Sequence, residues 1–348
     1  MRRSSAARAP AMDLRASGLM RTGWRLRATA ATCLIVRGEP SRITASLALG
    51  RSGETLGIRC KDTQGLHPPR GAGTTVDMQN PLARYSVLIL GIAACILVML
   101  PVLPFLASPR GVAGPTCTDA VHPAMAALAL GLGSAVCCAI ASIVGRLINA
   151  AVGLFVLGCG LAVISGQSGT ILDAAFDGDS LLPIAFETIA WSGAVLLMSA
   201  IVFRVSGPLL DLPARTKGGA FIHEVFNSDA GRALAAGLLA VVAMYLLSRT
   251  ELKGQAIGAA VLGGVATAFL GRRLVGDSQP ILLMATPVFA IGIAQLFTAY
   301  TLKAPLDLVV VQRGLPGWSM AMPVDIAAGT LIGIPMGLGW TKPAEGDE

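Results

Sequence analysis

Long apolar runs joined by short polar segments dominate the chain from residue 85 onward. Eight can be drawn, at about 85–107, 123–144, 147–165, 184–203, 232–247, 254–270, 281–300 and 323–340. About 20 apolar residues, rising 1.5 Å each, cross roughly 30 Å of hydrocarbon. Each run is therefore predicted to be a membrane-spanning α-helix. Polarity does not alternate residue by residue, which argues against the ten-residue strands of a membrane β-barrel. The expected fold class is all-α, a polytopic integral membrane bundle of about eight transmembrane helices with its amino terminus in the cytoplasm.

The joints refine this picture. Gly145 and Arg146 alone separate the second and third runs, a tight hairpin, and Arg272 and Arg273 close another between the sixth and seventh. Pro101 and Pro104 predict a kink or early end to the first helix. The last run contains Gly329, Gly333 and Pro335 and reads as the weakest span; if it is re-entrant, seven spans remain. Residues 166–183 read as a loop carrying Asp173, Asp177 and Asp179 and no base. The longer polar segment 204–231 reads as a connecting loop, with a short surface helix through Phe221, Ile222, Val225 and Phe226 as the alternative.

Basic residues orient the threading, because cytoplasmic loops carry an excess of Lys and Arg. The eight-span reading puts Arg84, Arg146, Arg204, Arg215, Lys217, Arg232, Arg272, Arg273 and Lys342 inside. Arg110, Arg249, Lys253, Lys303 and Arg313 fall outside, nine against five.

Composition agrees. Of 348 residues 54% are hydrophobic and 14% charged, where a soluble domain carries about 25% charged residues; the mean hydropathy is +0.69. The net charge of +7 sits at one end: residues 1–77 hold twelve Arg and one Lys against five acids, and the remainder fourteen basic against fifteen acidic residues. The membrane body is thus nearly neutral, and nucleic acid is not an expected partner; the lipid bilayer is. Residues 1–77 show no helical or strand period. They read as a disordered basic tail, an organellar targeting segment, or sequence upstream of a start at Met78. Met78-Gln79-Asn80-Pro81 followed at once by an apolar helix resembles a bacterial membrane-protein start, so a bacterial cytoplasmic membrane is the expected location.

Chemical motifs are sparse. Seven cysteines show neither a paired framework nor zinc spacing. Gly166-Gln167-Ser168-Gly169 contains the GxSG string of rhomboid-type serine proteases, yet none of the histidines, His67, His122 and His223, lies in a later span to act as base. His223-Glu224-Val225-Phe226-Asn227 opens like HExxH but ends in Asn. No dinucleotide fingerprint in a strand–helix context and no phosphate-binding lysine loop occurs, so no cofactor or metal is called for.

Ionisable groups within spans remain the default functional candidates, because burying one at the bilayer centre costs about 2.5 to 3.5 kcal/mol. Glu187, one turn into the fourth span, and Asp325, at the start of the eighth, both face outward, with His122 at the same level. The structural reading of each carboxylate, an acid in a first helical turn favoured by the dipole, stands beside the functional one, a polar cavity for a cation or proton. Gln295 completes the candidate site; it and Thr298 also read as partners for a neighbouring helix. Glycines at helical spacing, such as Gly254 and Gly258, predict close helix packing and suit homo- or hetero-oligomers. A small-solute or ion translocator is the favoured activity, a non-catalytic assembly subunit the alternative, and a membrane-embedded enzyme third.

Overall fold

The computed structural model describes residues 81–111, 113–209, 229–275 and 280–341. The expectations for residues 1–77, the start at Met78, the surface helix through Phe221–Phe226, His67, His223, Arg215, Lys217 and Lys342 fall outside these residues. Ten α-helices are described: α1 (Pro81–Met99), α2 (Pro123–Leu147), α3 (Ala150–Gln167), α4 (Ile171–Asp177), α5 (Leu181–Ser206), α6 (Ala230–Leu247), α7 (Lys253–Val275), α8 (Ile281–Thr301), α9 (Leu306–Val311) and α10 (Pro323–Trp340). Seven of these elements, counting α1 with its extension to Leu106, are long and apolar enough to cross a membrane; α10, a continuous helix of 18 residues, is not among the seven. The chain is an all-α, multi-pass membrane protein.

Polar contacts between helix ends follow the alternating threading. Arg110 reaches Asp177, Lys253 reaches Asp325 and the end of α3, and Gln295 reaches the segment before α10. At the opposite ends, Arg232 bonds the carbonyl of Leu274, and Ser206 that of Ser142. The first set marks the face that the arginine count assigns to the outside, called the outer face below.

Lipid offers no hydrophobic drive for helices to associate, so close packing must hold them together. Large apolar side chains such as Leu90, Leu128, Leu197 and Phe297 are left exposed around the perimeter. At the centre lies α10, buried along almost its whole length between α7 and α3 and touching α5 and α8. Its Gly329, Gly333 and Gly337, four residues apart, lie against the backbone of α7 at Ile257, Val261 and Val265. The partner positions also advance by four, so the two helices run parallel in register. A Cβ at Gly337 would stand 2.7 Å from Ala268 Cβ and 2.8 Å from Val265 O. From the other side Gly158 of α3 meets the backbone of Leu331 and Ile332. These glycines do not break the helix; they let its neighbours close on it. Gly254 and Gly258, by contrast, meet nothing within 4 Å.

Prolines act as anticipated in α1, which passes into a 3₁₀ turn at Leu100–Leu106. Pro287 inside α8 cannot bond the carbonyl of Leu283, and the Thr286 hydroxyl donates to that oxygen instead, at 3.2 Å. The expected loop 166–183 contains α4. Its start was legible in Thr170-Ile171-Leu172-Asp173, because Asp173 accepts both the N–H and the hydroxyl of Thr170, at 2.6 and 2.9 Å. Gly178, with φ +87°, ends it.

Candidate functional site

Three helix ends meet at Asp325. It is the third residue of α10 and accepts the N–H of Met322 at 3.0 Å, while Ser165 near the end of α3 donates its hydroxyl at 2.6 Å. Lys253, which opens α7, puts its ammonium 3.0 and 3.1 Å from the two carboxylate oxygens and 3.2 Å from Ser168 Oγ. Asp325 is 1% exposed and the Lys253 side chain 14%. A cation at a helix N-terminus opposes the dipole, so Lys253 depends on Asp325 and on the carbonyl end of α3 for its position. Every bonding direction of this carboxylate is filled. Ser168 and Lys253 have the spacing of a serine–lysine pair, but the ammonium is engaged by Asp325 and the Ser168 hydroxyl donates to Ser165 O at 3.0 Å. Among the described residues no free base faces that serine.

Gln295, fully buried in α8, is equally saturated. Its carbonyl accepts Thr188 Oγ1 at 2.6 Å, and its amide donates to Trp318 O at 3.2 Å and Ala321 O at 3.0 Å. Thr298 accepts the indole N–H of Trp318 at 3.0 Å. The two residues tie α8 to α5 and to the segment leading into α10, as interhelical hydrogen bonds.

Glu187 has a different setting. One residue from Thr188, it turns from α8 toward α2, and its oxygens share the Cys117 N–H at 3.1 and 3.3 Å. Among the described residues no Lys, Arg or His forms an ion pair with it. It stands at the outer mouth of a groove of about 710 Å³ between α2 and α5, whose walls are almost wholly apolar. Small residues on α2 open the space: a Cβ at Gly131 would meet nothing within 4 Å. Ser134, 6% exposed, also lines the groove, and its hydroxyl has no partner among the described residues.

The sequence-derived set Glu187, Asp325, His122 and Gln295 therefore does not form one cavity. Asp325 and Gln295 belong to packed internal networks, Glu187 to the groove, and His122 is an exposed residue that precedes α2 without a bond to the others. Lys253 and Ser165 were missed as partners of Asp325, and Ser168 as a partner of Lys253, because nothing local links positions 72 to 160 residues apart.

Above the groove, the segment carrying Cys117 and Asp119 faces α4. Arg110 pairs with Asp177 and bonds the carbonyl of Phe176. Asp119 is pushed up to about 7, by burial first and then by the charge of and hydrogen bond to Asp179, with Asp177 adding and Arg110 opposing. Burial, then the charge of Glu187, pushes the Cys117 thiol up to about 12. Among the described residues no three of these side chains form a metal-binding group. No protein-family model matches the chain, and no curated protein or solved structure shows significant similarity to it.

Proposed function

We propose that this multi-pass membrane protein carries an organic cation, with Glu187 as the binding carboxylate. The observation that supports it is a carboxylate placed within the span of α5, at the mouth of a groove, with no basic residue of the described chain to balance it. An isolated charge in that setting is expensive, and a cationic ligand relieves the cost. Pro287 within α8 and the Pro101–Pro104 break in α1 add interrupted helices of the kind that let transport bundles flex.

The test uses the full chain in proteoliposomes and the uptake of labelled methylammonium and tetraethylammonium. Uptake above that of empty liposomes is expected, abolished by Glu187→Gln and partly kept by Glu187→Asp, with unchanged thermal midpoints. Uptake of both probes that Glu187→Gln leaves intact, or none at all, overturns the reading.

The open small-residue face at Gly254 and Gly258 favours a second reading, an assembly subunit. Under it, Gly258→Leu abolishes a defined oligomer or co-purifying partner in detergent, and Glu187→Gln has no phenotype.

A further inference from the structure

The groove between α2 and α5 restricts what kind of cation Glu187 would meet. It runs from Glu187 and Cys117 at its outer mouth to Ile201 on α5, fourteen residues further on. At 1.5 Å per residue that is about 21 Å, more than the roughly 15 Å of one leaflet's hydrocarbon. Its deep part is walled by Ala194, Leu197, Met198 and Ile201 of α5 and by alanines of α2. Leu128, Leu132 and Leu197, exposed beside it, mark its open side as the lipid side. A compact hydrophilic cation would leave most of this wall uncovered.

The head end is equally selective. Among the described residues, Glu187 is the only carboxylate lining the groove, and no Lys, Arg or His lines it. An anionic or phosphate-bearing head would meet Glu187 without a counter-charge. The unpartnered Ser134 hydroxyl, buried in the wall, marks the space as one that is completed by an occupant rather than by packing.

We propose that the α2–α5 groove binds a long-chain amine, its ammonium on Glu187 and its single tail along α5 toward Ile201. At about 1.2 Å of advance per bond of extended chain, a tail of roughly sixteen to eighteen carbons covers the groove. The proposal rests on the reading of Glu187 as a cation-binding carboxylate and adds the tail.

The experiment measures binding of spin-labelled octadecylamine to the full chain in nanodiscs, from the immobilised fraction of its signal, in competition with octadecylamine, octadecanol, octadecanoic acid and phosphatidylethanolamine. Octadecylamine is expected to compete about tenfold or more better than the other three, the effect of one relieved charge. Glu187→Gln should remove that preference and leave octadecanol unchanged. Gly131→Leu, which places a side chain in open space, should weaken octadecylamine while the thermal midpoint holds. Equal competition by amine and alcohol, tighter binding of phosphatidylethanolamine, or indifference to Gly131→Leu overturns the proposal. Methylammonium uptake in parallel separates the two readings. Glu187-dependent uptake without octadecylamine binding removes the tail and leaves the carrier; Glu187-dependent octadecylamine binding without uptake of any probe keeps the site and removes the carrier.

Discussion

Two regions of this bundle each hold one carboxylate beside glycines, and they use them in opposite ways. In the seam between α7 and α10, Asp325 is clamped by Lys253, Ser165 and a backbone N–H, and Gly333 lies against the backbone of Val261. In the groove between α2 and α5, Glu187 has the Cys117 N–H but no cation, and Gly131 faces open space. The seam is polar chemistry consumed by packing. The groove is polar chemistry left over. Burial alone does not separate them; what separates them is whether each charge and each gap has been filled from within the chain.

The largest effect is expected in the seam. Asp325→Ala leaves the Lys253 ammonium without its partner, which for a buried pair costs about 3 to 5 kcal/mol. The double variant Lys253→Met with Asp325→Leu, which removes both charges, should recover most of that loss in thermal unfolding of the detergent-solubilised protein. If Asp325→Ala unfolds no earlier than the native chain, the pair is not what holds the three helix ends together. Glu187→Gln, which removes a charge that has no cation to pair with, should not lower the thermal midpoint, while it removes the preference for octadecylamine.

Next come the glycines. Gly333→Ala forces a Cβ into the backbone of α7 and is expected to cost about 1 to 3 kcal/mol, the usual range for overpacking. Gly131→Ala meets nothing and should be neutral, or stabilising by up to about 1 kcal/mol through helix propensity. The same melting curves measure both, and equal destabilisation would erase the contrast.

Much of the bundle was legible because a span's length and apolarity are properties of consecutive residues. The helix at the centre was legible only in part. Its glycines and Pro335 lower its apparent strength as a span, and only a parallel neighbour in register turns Gly329, Gly333 and Gly337 into a contact surface. Gly254 and Gly258 show the converse, since the same spacing on α7 meets nothing. Lys253 was readable as a topological charge at the outer face, but its bond to Asp325 joins two helix starts 72 residues apart. Gln295 was read both as a site residue and as an interhelical hydrogen bonder, and its hydrogen bonds run to Thr188 of α5 and to the carbonyl of Ala321.

A smaller effect concerns pH at the mouth of the groove. Asp119 has its pKa raised to about 7 against an ordinary 3.8, by burial and Asp179. The folded protein therefore holds this proton more tightly than the unfolded chain does. Its contribution to stability is complete below the ordinary carboxylate range and is lost as pH rises to about 7. Hydrogen-exchange protection factors, with the intrinsic pH dependence of the rate divided out, should be higher at pH 5 than at pH 8 in residues 116–121 and 177–181. Asp119→Asn should flatten that difference, with Asp177, Asp179 and Arg110 unchanged as neighbours.

The smallest effect reads the charge state of Glu187 directly. Cys117 is pushed up to about 12 by burial first and by Glu187 second, so at pH 8 its thiolate fraction is on the order of one in ten thousand. Glu187→Gln removes the electrostatic part and leaves the burial. Alkylation of Cys117 by iodoacetamide, followed by peptide mass spectrometry, should then quicken severalfold, since the thiolate is the nucleophile. Asp325→Asn should leave the rate alone, because Asp325 is not among the groups acting on this thiol. An unchanged rate in Glu187→Gln means that Glu187 faces Cys117 as a neutral acid. The groove would then select a head that accepts or donates a hydrogen bond, and octadecanol would bind as well as octadecylamine.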